Sequence, residues 1–242
     1  MCFDSTTSAI TFSIATLSSI YLYYSGNKKR DNNDKFFSLI IFLIGLMQLI
    51  EYFLWKNQIC NTTNHVFSIL IIVLLTLQPI LITNWYYYYL VKDVTFISQF
   101  FLLAYTCIFS TFIMYLIYGL NKSKLCSMPT KNSCRLQWDS IKVLSEHRLF
   151  FIIGLFLYFF PFFCLMYDFL KRHFTDFKKY PIRHLYLPAS WVLTILYILN
   201  KNNERIIDFF INPSIFIEYV DVWGSLWCFS AIFLGIVAVL EI

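Results

Sequence analysis

The sequence predicts an all-α, polytopic bundle of membrane-spanning helices, and composition is the first reason. Of its 242 residues, 59% are hydrophobic, 21% aromatic and only 14% charged. A soluble domain carries about 25% charged residues, so this chain has too few charges to cover a surface that faces water. The composition excludes a soluble enzyme, a nucleic-acid-binding module and a disordered chain. It predicts an integral membrane protein with the lipid bilayer as its partner.

The second reason is the number of long apolar segments. A helix needs about 20 apolar residues to cross a bilayer core, and such runs must be helical because lipid offers the backbone no hydrogen-bond partners. We predict one transmembrane domain with seven spans, the sixth of which is short and must be extended by its flanks. The spans are residues 7–24, 36–55, 66–90, 97–118, 149–170, 185–199 and 222–240.

Individual segments carry further signals. The first is rich in Ser and Thr, small hydroxyl residues that let neighbouring helices approach closely. The third contains Pro79, which lacks an N–H group and bends a helix. Residues 206–220 are also apolar, but Asp208, Asn212 and Glu218 interrupt them. We expect an interfacial or re-entrant segment there rather than another span.

The orientation follows from the flanks of the first span. Every Lys and Arg lies outside the seven segments, but the two sides of the membrane would share them almost equally, so the positive-inside rule alone does not decide. The first span has no basic residue before it and Lys28, Lys29 and Arg30 directly after it. This charge order keeps the C-terminal end of the first span in the cytoplasm, and it is the reverse of the order in a cleaved signal peptide. We therefore predict an N-terminus outside and a C-terminus inside.

Two acceptor tripeptides for N-glycosylation agree with this orientation. Asn61-Thr62-Thr63 and Asn121-Lys122-Ser123 match the N-x-[ST] pattern and lie in the second and fourth loops, both outside. Asn121 is very close to the end of its helix, where a transferase has poor access, so Asn61 is the better site.

The same two loops contain three cysteines, which favours a disulfide in an oxidising compartment. A bridge between Cys126 and Cys134 would close a small loop. Cys60 could instead pair with either of them, or all three could stay as thiols, and the sequence leaves these alternatives open.

A set of polar residues within the spans requires an explanation, because a carboxylate in lipid is costly and often functional. Gln48 and Glu51 share one face of the second helix, and Gln78 lies near the middle of the third. Ser225 lies in the seventh predicted span at a depth similar to that of Glu51, and Trp227 follows two residues later. One hypothesis groups all five around a polar pocket that binds a cation or passes protons. The alternative is that Glu51 stays protonated or reaches the headgroups, while the glutamines bond between helices.

The sequence contains no pattern of an enzyme. No nucleophile–base pair stands out, and the spacing of His65 and His147 relative to the loop cysteines is not that of a structural zinc site. We predict no catalytic residues, no metal, no cofactor and no nucleic-acid partner.

Three short motifs stand out in the sequence: residues 48–55 (QLIEYFLW), the pair Gln78-Pro79 and residues 223–228 (WGSLWC). Together they resemble uncharacterised multi-pass membrane proteins of large DNA viruses. The resemblance implies a host membrane and glycosylation by host enzymes, and it implies no activity. We therefore expect a multi-pass membrane glycoprotein with a structural or interaction role. The alternative is a channel or transporter for protons, cations or small solutes that uses Glu51.

Overall fold

The computed structural model describes mostly helical structure. It covers residues 4–91, 96–120, 125–129, 136–138, 153–154, 156–158, 186, 189–190, 193–194, 196, 200 and 233–240. Of the residues described, 87% are helical, which confirms the helical class predicted from the sequence.

Four long helices follow one another along the chain and contain nearly all of the first four predicted spans. They are α1 (Ser5–Lys29), α2 (Asn32–Lys56), α3 (Thr62–Tyr89) and α4 (Phe96–Leu120). By length and composition, α2 and α3 could each cross a membrane. Most of the predicted spans 149–170 and 185–199 lies outside the described residues. Of the span 222–240, residues 233–240 are described and form a helical segment.

The turn between α1 and α2 is very tight, which makes the two helices an antiparallel hairpin. Arg30 adopts the left-handed conformation, with φ 57°, that ends many helices. The Asp31 N–H donates to Gly26 O at 2.9 Å, and the Asp31 carboxylate accepts from the Asn33 N–H at 2.8 Å, which caps α2. A Cβ atom on Gly26 would lie 2.9 Å from Asp31 O, so only glycine fits this turn.

Small side chains let α1 and α2 approach closely, as the Ser and Thr content of the first segment predicts. A Cβ atom on Gly45 would lie 2.7 Å from Ala15 Cβ. One turn away, the Ser19 hydroxyl donates to Ser38 O at 2.8 Å and the Ser38 hydroxyl donates to Ser19 O at 2.9 Å. Such reciprocal bonds satisfy hydroxyl groups without water.

The C-terminal helical segment, residues 233–240, packs against this hairpin. A Cβ atom on Gly235 would lie 2.9 Å from Ser18 Cβ and 3.2 Å from Ile41 Cγ2. Leu234 and Ala238 are completely buried. The described part of the last predicted span, residues 233–240, therefore lies beside α1 and α2.

At the other end of α2, a short β-hairpin covers the helix ends. Strand β1 (Met128–Pro129) pairs with β2 (Leu136–Gln137) in antiparallel register, with Met128 opposite Gln137. Leu136 and Trp138 are buried in the same core as side chains of α2 and α3. We call residues 57–61, 125–129 and 136–138 the cap.

Candidate functional site

The structure describes three of the five predicted intramembrane polar residues and brings two of these three together. Gln48 and Glu51 are 0% and 2% exposed, and Gln48 Nε2 donates to Glu51 Oε2 at 2.9 Å. This contact follows from their spacing of three residues on one helix face.

A third residue, which the sequence analysis missed, extends this pair to the neighbouring helix. Thr11 Oγ1 of α1 lies 3.0 Å from Gln48 Oε1 and 2.8 Å from Thr7 O. Its single hydrogen is therefore shared between α2 and its own helix. The buried polar chain runs from Thr11 through Gln48 to Glu51. Only the register between α1 and α2 places Thr11 next to Gln48, and no local sequence pattern predicts this register.

Gln78 is buried as well, but its partner is a different residue. Its Oε1 accepts a hydrogen bond of 2.8 Å from the Tyr158 hydroxyl, and 1% of its side chain is exposed. Within the part of the chain that is described, its Nε2 has no hydrogen-bond partner. Gln78 therefore links α3 to another helical segment and is not bonded to Gln48 or Glu51. Ser225 and Trp227 lie outside the described residues.

The cap contains a disulfide that differs from the one first expected. Cys60 is bonded to Cys126, and their Cα atoms lie 5.4 Å apart, within the usual range for a disulfide. The predicted Cys126–Cys134 bridge is wrong, because Cys126 is already used; the structure has the alternative in which Cys60 takes part. Cys134 lies outside the described residues. Cys126 pairs with Cys60 because residues 125–127 pack against the first turn of α3, directly beside Cys60.

Hydrogen bonds hold residues 125–127 in this position. Asn64 uses both ends of its amide: Nδ2 donates to Ser127 O at 3.0 Å, and Oδ1 accepts from Ser127 N at 2.9 Å. The hydroxyls of Ser68 and Ser127 lie 2.8 Å apart. His65 Nδ1 accepts from the Leu125 N–H at 3.1 Å. Asn64 and Ser127 are completely buried, so this contact is a packed interface without free surface.

The predicted glycosylation residue Asn61 is part of the same arrangement. Its Oδ1 caps α3 by accepting from the Asn64 N–H at 2.9 Å. Its amide also pairs with that of Asn57: Asn57 Nδ2 donates to Asn61 Oδ1 at 2.8 Å, and Asn61 Nδ2 donates to Asn57 Oδ1 at 3.1 Å. Thr62 and Thr63 are exposed. Asn121, the other predicted site, lies outside the described residues.

Sequence reasoning singled out Asn61 only as an acceptor for a glycan and missed Asn64, Ser68 and Ser127, which hold the cap. A signal for Asn64 and Ser68 was present, since they follow Asn61 at successive helical spacings of three and four residues where α3 begins. Ser127 has no such pattern around it.

The described residues contain no metal site, and the chain has no match among the known proteins compared with it. Among the residues described, no three His, Cys, Asp or Glu side chains come together. Comparison of the chain with protein-family models, curated proteins and solved structures finds no match.

Proposed function

We propose that the chain is a multi-pass membrane protein with a structural or interaction role, and that its cap faces the exoplasmic side. The disulfide between Cys60 and Cys126 carries this proposal. Disulfides form and persist in oxidising compartments and are rare in the cytosol. The glycosylation residue Asn61 directly follows Cys60, so two independent chemical features favour the same side.

The connectivity of the helices supports the same orientation. The cap joins the end of α2 to the segment that follows α4, so α3 leaves this side and α4 returns to it. At the opposite end of α2 lie Lys28, Lys29 and Arg30, all exposed. Basic residues flank spans on the cytoplasmic side. With the cap outside, α1 begins outside, and seven spans would place the C-terminus inside.

Exposed apolar side chains on α4 and α1 support membrane insertion. Soluble monomers rarely expose large continuous apolar surfaces, whereas lipid solvates them at no cost. The side chains in question are each more than half exposed: Leu17 and Ile20 on α1, and Phe100, Phe101, Leu103, Ile108 and Met114 on α4.

The contacts of the buried polar residues favour a structural role over transport. A conduction path needs polar groups that ligands or water can reach. Gln48 and Glu51 instead lie buried and hydrogen-bonded to each other, and Gln48 contacts Thr11 of the neighbouring helix. Hydrogen bonds of this kind hold helices together in lipid.

The alternative function is a channel or transporter that uses Glu51. One observation favours it: an acidic side chain lies buried among apolar residues of α2, where a purely structural role does not require a carboxyl group. In liposomes, proton or cation flux through the wild type that Glu51→Gln abolishes would establish this alternative. Glu51→Asp, which keeps the carboxyl group, is the matched control. Flux that is absent, or is unchanged by Glu51→Gln, excludes a pathway through Glu51, and only absent flux supports the structural role.

The cellular setting is part of the proposal. If the resemblance to membrane proteins of large DNA viruses reflects descent, the chain resides in a host membrane and host enzymes glycosylate Asn61 and, with poorer access, Asn121. The partners on the exoplasmic side would be proteins that contact the cap.

The topology is tested by glycosidase treatment of the chain expressed in cells that glycosylate. We expect the treatment to increase gel mobility, and Thr63→Ala to remove the part of this change that comes from Asn61. Thr63→Ala is preferable to Asn61→Gln because it destroys the acceptor tripeptide but retains the Asn61 cap of α3. A reporter inserted after Ile59 that gives a cytosolic signal would overturn the proposed orientation.

A further inference from the structure

The acceptor amide of Asn61 is half-buried and fully engaged in hydrogen bonds in the folded protein. Asn61 Oδ1 accepts two hydrogen bonds, from the Asn64 N–H and from Asn57 Nδ2, and Asn61 Nδ2 donates to Asn57 Oδ1. The preceding residue, Cys60, is covalently fixed to Cys126. The side chain that a glycosyl transferase must reach is therefore held on both sides.

The geometry of the amide pair is incompatible with a glycan on Asn61. In a reciprocal pair, each amide donates the hydrogen that lies on the same side of the C–N bond as its own oxygen, because only that hydrogen faces the partner. A glycosylated Asn is a secondary amide and is trans. In a trans amide, the sugar carbon replaces that same hydrogen. The Asn57–Asn61 pair and a glycan on Asn61 thus exclude each other.

The order of synthesis provides a period in which Asn61 is accessible. Cys60 and Cys126 are separated by 66 residues in sequence. Asn61 therefore enters the lumen well before the residue that closes the cap. During this period neither the disulfide nor the contact between Asn64 and Ser127 exists.

We propose that Asn61 accepts a glycan only while the cap is open, and that formation of the Cys60–Cys126 bond ends its modification. This inference rests on the proposed exoplasmic position of the cap. In the modification, Asn61 Nδ2 bonds to C1 of a lipid-linked oligosaccharide, the C1–O bond to the lipid diphosphate breaks, and Nδ2 loses one proton. In the closure, the two thiols reduce the disulfide of a lumenal oxidoreductase to its dithiol.

The test measures the occupancy of Asn61 in full-length chains translated in the presence of microsomes. All chains carry Ser123→Ala, which removes the second acceptor tripeptide, so that a single mobility shift reports Asn61. The informative variant is Cys126→Ser, since it removes the bond to Cys60 but leaves the acceptor tripeptide and residues 57–64 unchanged. Cys107→Ser removes an exposed free cysteine of α4 and is the matched control. Gly45→Ala strains the contact with Ala15 away from the cap and controls for a general folding defect.

We expect the ratio of modified to unmodified chains to rise in Cys126→Ser and to stay at the wild-type value in both controls. A reductant added during translation should raise the ratio of the wild type in the same way. An equal ratio in the wild type and Cys126→Ser would overturn the proposal, as would an equal rise in Gly45→Ala. If the reporter after Ile59 is cytosolic, the proposed topology fails instead, and Asn61 stays unmodified in every variant.

Discussion

The α1–α2 hairpin and the cap are both held by polar contacts in an apolar chain, but over different distances along the sequence. In the hairpin, Ser19 bonds to Ser38, 19 residues away, and Thr11 bonds to Gln48, 37 residues away. In the cap, Asn64 and Ser127 are 63 residues apart. The hairpin forms as soon as two helices are adjacent, whereas the cap requires two further helices to be in place.

The two regions also differ in what fixes them. Packing of small residues fixes the hairpin, because Gly45 and Ala15 leave no space between the helices. A covalent bond fixes the cap, and buried hydrogen bonds of Asn64 and Ser127 align it. The comparison suggests that each region should respond to a different kind of substitution.

The largest effect is expected from Cys60→Ser. The bond closes a loop of 66 residues, for which chain entropy predicts a stabilisation of about 4 kcal/mol. We expect the midpoint of thermal unfolding in detergent to fall, and proteolysis to begin in the cap while α1 and α2 stay protected. Cys107→Ser is the control. Equal midpoints for the wild type and Cys60→Ser would contradict the role assigned to the bond.

A smaller effect is expected from Gly45→Ala. The added Cβ atom would lie 2.7 Å from Ala15 Cβ, and overpacking of this kind costs about 1–3 kcal/mol. The loss should appear as unfolding of the hairpin with the cap disulfide intact. It is measured by thermal unfolding of the oxidised protein, with protection of both regions followed by hydrogen exchange.

A compensating substitution makes this second prediction specific. Ala15→Gly removes the atom that the new methyl group meets, so the double variant should regain most of the lost stability. Ser13→Ala, on an exposed face of α1, should change little. A double variant that is as unstable as Gly45→Ala alone would show that the two residues do not limit the helix separation.

The same division explains which features the sequence could predict. Helices α1 to α4 follow from long apolar segments, and the contact of Gln48 with Glu51 follows from their spacing. These are local patterns. Thr11 could not be assigned to the polar chain, because its contact depends on the register between two helices.

The cap depended on information that no local pattern contains. The pairing of Cys60 with Cys126 follows from where the chain after α4 lies, and three loop cysteines alone allow several pairings. The β-hairpin of the cap could not be predicted either, because its first strand contains Pro129. Proline lacks the N–H group of a regular strand residue and is confined to edges and strand ends. The number of seven spans and the position of Ser225 and Trp227 near Glu51 stay predictions.

The smallest effect concerns the start of α1, where the capping residue Asp4 is exposed. The Thr7 backbone N–H donates to the Asp4 carboxylate at 2.8 Å, and this bond, assisted by the Thr7 side chain, lowers the pKa of Asp4 below its ordinary value. A group whose pKa is lower in the folded state contributes stability above its unfolded pKa and loses it as the pH falls through the folded pKa.

Protection of the Thr7 amide from hydrogen exchange should therefore decrease below about pH 4, with no change in the cap. Asp4→Asn keeps a capping side chain that does not titrate, so its Thr7 protection should be independent of pH in this range. Equal pH dependence in the wild type and Asp4→Asn would assign the decrease to another group.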